Sequence, residues 1–111
     1  MNYKIEVTSF FKRQAKRLLK KYPSLKEELA ELFLQLEKQP QKGDVLGNNC
    51  FKIRISINSK GKGKGKGKSG GARIITHVKV LEEKVYLLSI YDKSEQESLT
   101  EKELKSLLFF I

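Results

Sequence analysis

Apolar and polar residues alternate at the start of the chain, Tyr3, Ile5 and Val7 against Lys4 and Glu6, which is the two-residue period of a half-buried strand. The period then changes. Phe11, Ala15, Leu18 and Tyr22 recur at helical spacing behind a capping candidate at Thr8 or Ser9, while Lys12, Arg13, Lys16, Arg17, Lys20 and Lys21 crowd the remaining surface. Pro23 breaks this helix. Ser24 with Glu27 has the spacing of a capping box for a second helix, in which Leu25, Leu29, Leu32, Phe33 and Leu36 fall on one side. Pro40, Gly43 and Gly47 then mark a loop.

From Phe51 to Ile57 the alternation is strict, with Phe51, Ile53, Ile55 and Ile57 on one face and Lys52, Arg54 and Ser56 on the other. A lysine–glycine run over 58–71 leads to another strand, Ala72 to Val80, and Glu82 with Glu83 makes the next turn. Val85 to Tyr91 is apolar on both faces, as expected of an interior strand covered on both sides. Thr100 and Glu103 make a capping box for a last helix whose Leu104, Leu107, Leu108 and Ile111 line one side. The order is βααβββα. It predicts an α+β fold, a small antiparallel-rich sheet with the helical hairpin and the C-terminal helix packed on one face and the other face left for a ligand. With 111 residues, 1–111 reads as a single domain with one core.

Charge sharpens this picture. The chain carries 23 Lys and Arg against 13 Asp and Glu, a net charge of +10, and it stays basic without the lysines of the run at 60–68. Such a balance favours nucleic acid or another acidic surface as partner. No apolar stretch approaches the roughly 20 residues that cross a bilayer, and the opening Met-Asn-Tyr-Lys-Ile-Glu has none of the regions of a signal peptide, so a cytoplasmic protein without membrane association is expected. One cysteine and one histidine make neither an internal disulfide nor a zinc set, and no metal or other cofactor is expected.

The lysine–glycine run places Lys60, Lys62, Lys64, Lys66 and Lys68 on a stretch whose glycines oppose helix and strand alike. By composition alone it is a solvated linker or a flexible cationic arm for a polyanion, and its flanks must decide. Lys52 and Arg54 lie about 7 Å apart on one strand face. Arg73 opens the next strand, and Lys93 follows the last one, so the four cations can converge on one surface beneath the arm. Arginine suits a phosphodiester, because it can contact phosphate with two donors and stabilise the charge of a transition state. His77 lies mid-strand and reads as structural before catalytic, and a serine triad cannot be built around a single histidine. Gly-Lys-Gly-Lys-Ser has the wrong spacing for a nucleotide loop and precedes a strand. Tyr86, Tyr91 and Phe51 read as core or wall.

Three segments, Gly47-Asn48-Asn49-Cys50-Phe51-Lys52-Ile53-Arg54-Ile55, Ser69-Gly70-Gly71-Ala72-Arg73-Ile74-Ile75-Thr76 and Leu87-Leu88-Ser89-Ile90-Tyr91-Asp92-Lys93-Ser94-Glu95, resemble in this order the RelE/ParE family of bacterial toxins. The opening strand and helical hairpin, Tyr3 to Leu36, fit the same family. The resemblance implies a type II toxin of the RelE branch, a ribosome-dependent endoribonuclease that cuts messenger RNA in the A site without metal, by attack of a 2′-hydroxyl on the adjacent phosphate. It implies a cognate antitoxin, the ribosome and messenger RNA as partners. By position, Lys52 and Arg54 match the basic pair that assists proton transfer, Arg73 the arginine on the phosphate, and Lys93 another basic position after the last strand. Leu99 stands where RelE carries a C-terminal tyrosine. The arm lysines, with Arg13, Lys16 and Arg17 of the first helix, are the expected RNA contacts. The alternatives are the ParE-like branch, which inhibits DNA gyrase, and an RNA-binding domain without catalysis.

Overall fold

The computed structural model describes residues 2–60, 70–96, 98–109 and 111. The first strand, β1 (Lys4–Val7), leads into α1 (Ser9–Lys21) and α2 (Leu25–Lys38), followed by β2 (Asp44–Gly47), β3 (Cys50–Ile55), β4 (Ala72–Lys79), β5 (Lys84–Asp92) and α3 (Glu101–Leu108). The strands form one sheet in the order β1-β5-β4-β3-β2, antiparallel throughout except for the parallel pair β1 and β5. The α+β class is as expected. The Val85–Tyr91 run lies inside β5, which is flanked on both sides by strands.

One strand lies where a loop was expected. In β2 every residue is exposed, so no buried face leaves a two-residue hydrophobic signature. The signal was local instead: Asn48 and Asn49 have φ of 54° and 58°, the left-handed pair that a two-residue hairpin turn requires, and Gly47 pairs directly with Cys50.

The helical hairpin covers one sheet face. Phe11, Leu18, Leu25 and Leu36 are almost fully buried against Ile53, Ile74, Leu87 and Ile90. Each such side chain contributes roughly 1.5–3 kcal/mol of transfer free energy. Thr8 caps α1, its hydroxyl accepting from Phe11 N at 3.2 Å. Where β1 ends, α1 takes over the backbone groups of β5. Thr8 Oγ1 donates to Leu87 O at 2.8 Å, and Gln14 Oε1 accepts from Ser89 Oγ and Ile90 N, both at 3.0 Å. These contacts flank the register shift between Ile75 and Thr76, which leaves Leu88 as an extra residue on β5.

The third helix departs from expectation. Its Leu104 belongs to a second cluster with Cys50, Ile75, Leu88 and Tyr91, which point away from the hairpin side because their strand neighbours Phe51, Ile74 and Ile90 point toward it. Thus α3 packs on the opposite face, and that face is only partly open. The reason is apolar demand: Ile75, Leu88 and Tyr91 carry a buried surface that the hairpin cannot reach. The Thr100–Glu103 capping box that starts α3 is complete, with both hydrogen bonds made.

A capping box at Ser24 and Glu27 does not form. Ser24 instead exchanges hydrogen bonds with Ser59, each amide donating to the other's hydroxyl at 3.2 and 2.9 Å, and Glu28 Oε2 accepts from Asn58 N at 2.7 Å. Residues 58–60, expected as the start of a flexible loop, are therefore pinned to the beginning of α2.

Candidate functional site

Register decides which cations meet. Arg54 of β3 pairs directly with Arg73 of β4, and Arg73 with Tyr91 of β5, so all three side chains share one face. Lys52 lies one step along the same face, opposite Ile75. Lys52, Arg54 and Arg73 thus project from the face on which α3 packs, and the common face of Lys52 and Arg54 is the one that the alternation of β3 gives. Like charges in direct cross-strand register cost stability, and they concentrate positive potential at one end of the sheet.

The environments of these cations differ. Arg54 is exposed and forms an ion pair with Asp44 of β2 at 3.3 Å. Arg73 is only 4% exposed, and its Nη1 donates to Ala72 O at 3.2 Å. Burial and then the Arg54 charge push its guanidinium below the ordinary value, while Tyr91 acts in the opposite sense. Lys52 is half-buried. Lys93 begins the turn after β5, and its amide donates to Gly71 O at 3.0 Å, which brings this turn beside the entry to Arg73.

Tyr91 is a buried part of the cluster under α3. Its hydroxyl has no hydrogen-bond partner among the described residues, and burial raises its pKa against the lowering effect of Arg73. Leu99 lies elsewhere, packed on the apolar cluster under α3 and lining a groove with Val7, Phe10, Tyr86, Leu88 and Leu107. His77 is four residues along β4 from Arg73, about 13 Å, next to Cys50, whose Sγ is 3.5 Å from its Nδ1. Burial lowers the His77 pKa and pushes the Cys50 thiol up to about 11. Among the described residues no His, Cys, Asp or Glu side chains gather into a metal-holding group.

The other expected contacts separate into three groups. Lys62, Lys64, Lys66 and Lys68 lie outside the described residues. Lys60 does not project as the first cation of an arm: its ammonium is turned inward, 2.6 Å from Asp92 Oδ1 and 2.8 Å from Gly70 O. The Tyr22 ring lies 5.3 Å from Lys60 Nζ. Arg13, Lys16 and Arg17 are exposed on α1, on the hairpin side of the sheet. Arg17 donates two hydrogen bonds to Glu95, at 2.6 and 3.3 Å, with Lys21 at 3.5 Å, so the basic helix is tied to the turn that carries Lys93. That ion pair raises the Arg17 pKa and lowers that of Glu95.

Sequence reasoning missed Asp44, Asp92 and Glu95, the three carboxylates that hold these cations. Asp44 could have been found through the Asn48-Asn49 hairpin signal. Asp92 and Glu95 have no periodic signal, because their partners Lys60 and Arg17 are distant in the chain. Among the described residues no helix is long and apolar enough to cross a membrane.

The model of the RelE toxin of the RelE/RelB toxin–antitoxin system matches residues 4–110. A search of curated proteins finds no match. Among solved structures, a double arginine-to-alanine mutant of the E. coli toxin RelE in the free state superposes with a TM-score of 0.61 at 16% identity, covering 100% of this chain and 99% of that one. The toxin–antitoxin complex RelBE2 from Mycobacterium tuberculosis gives 0.59 at 15% identity over 83% of this chain and 92% of that one. The isolated E. coli RelE toxin gives 0.56 at 16% identity over 98% and 99%. At these identities the structural likeness concerns the fold.

Proposed function

The chain belongs to the RelE toxin family of toxin–antitoxin systems, and on that premise we propose that it is a ribosome-dependent endoribonuclease that cuts messenger RNA in the A site and is held in check by a cognate antitoxin. The observation that carries the reading is the direct register of Arg54 with Arg73, with Lys52 one step along the same face. A phosphodiester placed there meets two planar guanidinium groups and one ammonium.

The reaction needs little else from the protein. The 2′-hydroxyl of the message attacks the adjacent phosphorus, the bond to the 5′-oxygen breaks, and a cyclic phosphate and a 5′-hydroxyl result. Holding the strand so that the hydroxyl lies in line with the leaving oxygen supplies much of the acceleration. Arg73, rigid and buried, stabilises the charge that builds on the phosphate oxygens. Arg54 acts through its charge on the phosphate oxygens. The proton of the attacking 2′-hydroxyl leaves to water, Lys52 delivers a proton to the departing 5′-oxygen, and Lys93 contacts a neighbouring phosphate. The exposed Arg13, Lys16 and Arg17 extend the cationic surface toward ribosomal RNA. The M. tuberculosis neighbour is a toxin–antitoxin complex, which supports an antitoxin as the protein partner here.

The test adds purified protein, and an Arg73→Ala variant of matched thermal stability, to translating ribosomes programmed with a defined message, and maps the new 5′ ends by primer extension. A cut in the A-site codon with the parent, reduced at least 100-fold in the variant, is expected. Intact message with translation running normally would sink the nuclease reading and direct the work to a gyrase assay. Intact message with translation blocked would leave RNA binding without cleavage.

A further inference from the structure

Among the described residues, a heavily built polar cluster lies outside the set of site cations. Asp92 is fully buried at the end of β5, and four groups converge on its carboxylate. Oδ1 accepts from Lys60 Nζ at 2.6 Å, from Ser94 N at 2.9 Å and from Ser94 Oγ at 2.7 Å, and Oδ2 accepts from Tyr22 Oη at 2.5 Å. The side chain of Lys60 is 7% exposed. Such a pair contributes little net stability on average, because desolvation of both charges offsets their attraction. Its placement therefore matters more than its energy.

That placement connects both ends of the 61–69 segment to the site. Before the segment, Lys60 reaches Asp92, while Asn58 and Ser59 are fastened to Glu28 and Ser24. After it, the same Lys60 ammonium donates to Gly70 O at 2.8 Å. Gly71 follows, pressed so closely on β3 that an added Cβ would run into the Ile55 carbonyl and Ser56 Cα, and its own carbonyl accepts from Lys93 N. Ala72, paired with Asp92 in the sheet, and then Arg73 come next. A single carboxylate thus sits between the entry to Arg73 and the turn that presents Lys93.

We propose that Asp92, acting through Lys60, is a positioning residue that sets the distance between Arg73 and Lys93 and so holds the phosphate-binding cations in register. The inference rests on reading Arg73 and Lys93 as part of the cleavage site. Asp92 touches no substrate; it works through the Gly70–Gly71 backbone on one side and the Lys93–Ser94 turn on the other. Without it, β3 and β4 still pair, and the two cations lose their common anchor.

The test compares the parent with Lys60→Met and with the double variant Lys60→Met/Asp92→Asn. The double variant replaces the ion pair by groups of similar size and avoids the unpaired buried charge that could unfold Asp92→Asn alone. Two quantities are read: exchange of the Lys93 amide by NMR, and kcat and KM for cleavage of ribosome-bound message. A Leu32→Ala variant, which weakens the fold under α2 on the face of the sheet opposite Arg73, serves as the stability control. In the double variant, Lys93 exchange is expected to rise at least tenfold and kcat to fall at least tenfold with KM changed less than threefold, while the control keeps the parent's values for both. Unchanged Lys93 exchange in both Lys60 variants would overturn the proposal, and so would an unchanged kcat in a double variant that folds. A parent that cuts no message at all would overturn the nuclease reading instead, and the exchange measurement would still judge the anchor.

Discussion

The cross-strand pair of Arg54 and Arg73 should be neutral or unfavourable for the fold, and two substitutions of the same ion pair should reveal this by their opposite consequences. Asp44→Asn removes the exposed partner of Arg54 and leaves two guanidinium groups facing each other across β3 and β4. An exposed pair of this kind is worth about 0–1 kcal/mol. Arg54→Gln removes the same ion pair but also relieves the like-charge contact with Arg73, a gain of roughly 0.2–1 kcal/mol. Asp44→Asn should therefore destabilise by up to about 1 kcal/mol, while Arg54→Gln should fall within about 0.5 kcal/mol of the parent, the two terms being of similar size and opposite sign. With a urea slope of about 1–3 kcal/mol/M, the unfolding midpoints of the two variants should differ by a few tenths molar, Arg54→Gln being the higher. Added salt should narrow the Asp44 effect, since Asp44 and Arg54 both face solvent. Cleavage should respond in the other order, with Arg54→Gln losing activity and Asp44→Asn retaining it. If Arg54→Gln lowers the midpoint more than Asp44→Asn does, Arg54 is supporting the sheet, and the argument that its charge is maintained for a ligand fails.

Two further outcomes follow from the buried groups. Burial by itself would raise the Asp92 carboxyl, but hydrogen bonds from Lys60, Tyr22 and Ser94 outweigh it and hold Asp92 well below the usual carboxylate range. Its contribution is thus fully present above its unfolded pKa of about 3.9 and is lost as pH falls from there through the folded value. The stability gap between the parent and the Lys60→Met/Asp92→Asn variant, measured by urea unfolding, should stay constant from pH 7 to 5 and shrink below pH 4; a gap unchanged down to pH 2 would contradict this. Cys50, with its thiol pushed up to about 11 by burial, should resist a thiol-reactive dye at pH 8 in the folded protein and react at once in urea; rapid labelling without denaturant would show that the cluster under α3 opens readily.

Legibility from sequence followed burial. The helical hairpin and β3 could be read because each has a face that buries Phe11 or Ile53 and a face that carries charge, and β4 and β5 because their apolar runs are buried on both faces. The same logic gave the shared face of Lys52 and Arg54, since the period of a strand fixes which residues project together. β2 was invisible, being exposed along its whole length. The side taken by α3 was also hidden: Leu104 is apolar whichever face it meets, and only the alternation of Ile74 with Ile75, referred to the hairpin, tells the two faces apart.

The harder omission was the carboxylates. A run of lysines on glycine-rich chain invites the reading that every one of them faces solvent, yet Lys60, at its very start, is the buried partner of Asp92. Composition can say that a segment is cationic, but which cation folds inward depends on where the sheet ends, since an unpaired Asp92 at the end of β5 would be costly to bury. The same consideration separates the cations by role. Lys60 and Arg17 are matched by Asp92 and Glu95 and hold the frame. Arg54 is held by Asp44 only at the exposed surface, and it stands in direct register with Arg73, a like-charge neighbour that costs the sheet stability. A site for an anion is where such a cost is recovered, which is why the paired arginines, and not the longer lysine run, carry the functional argument.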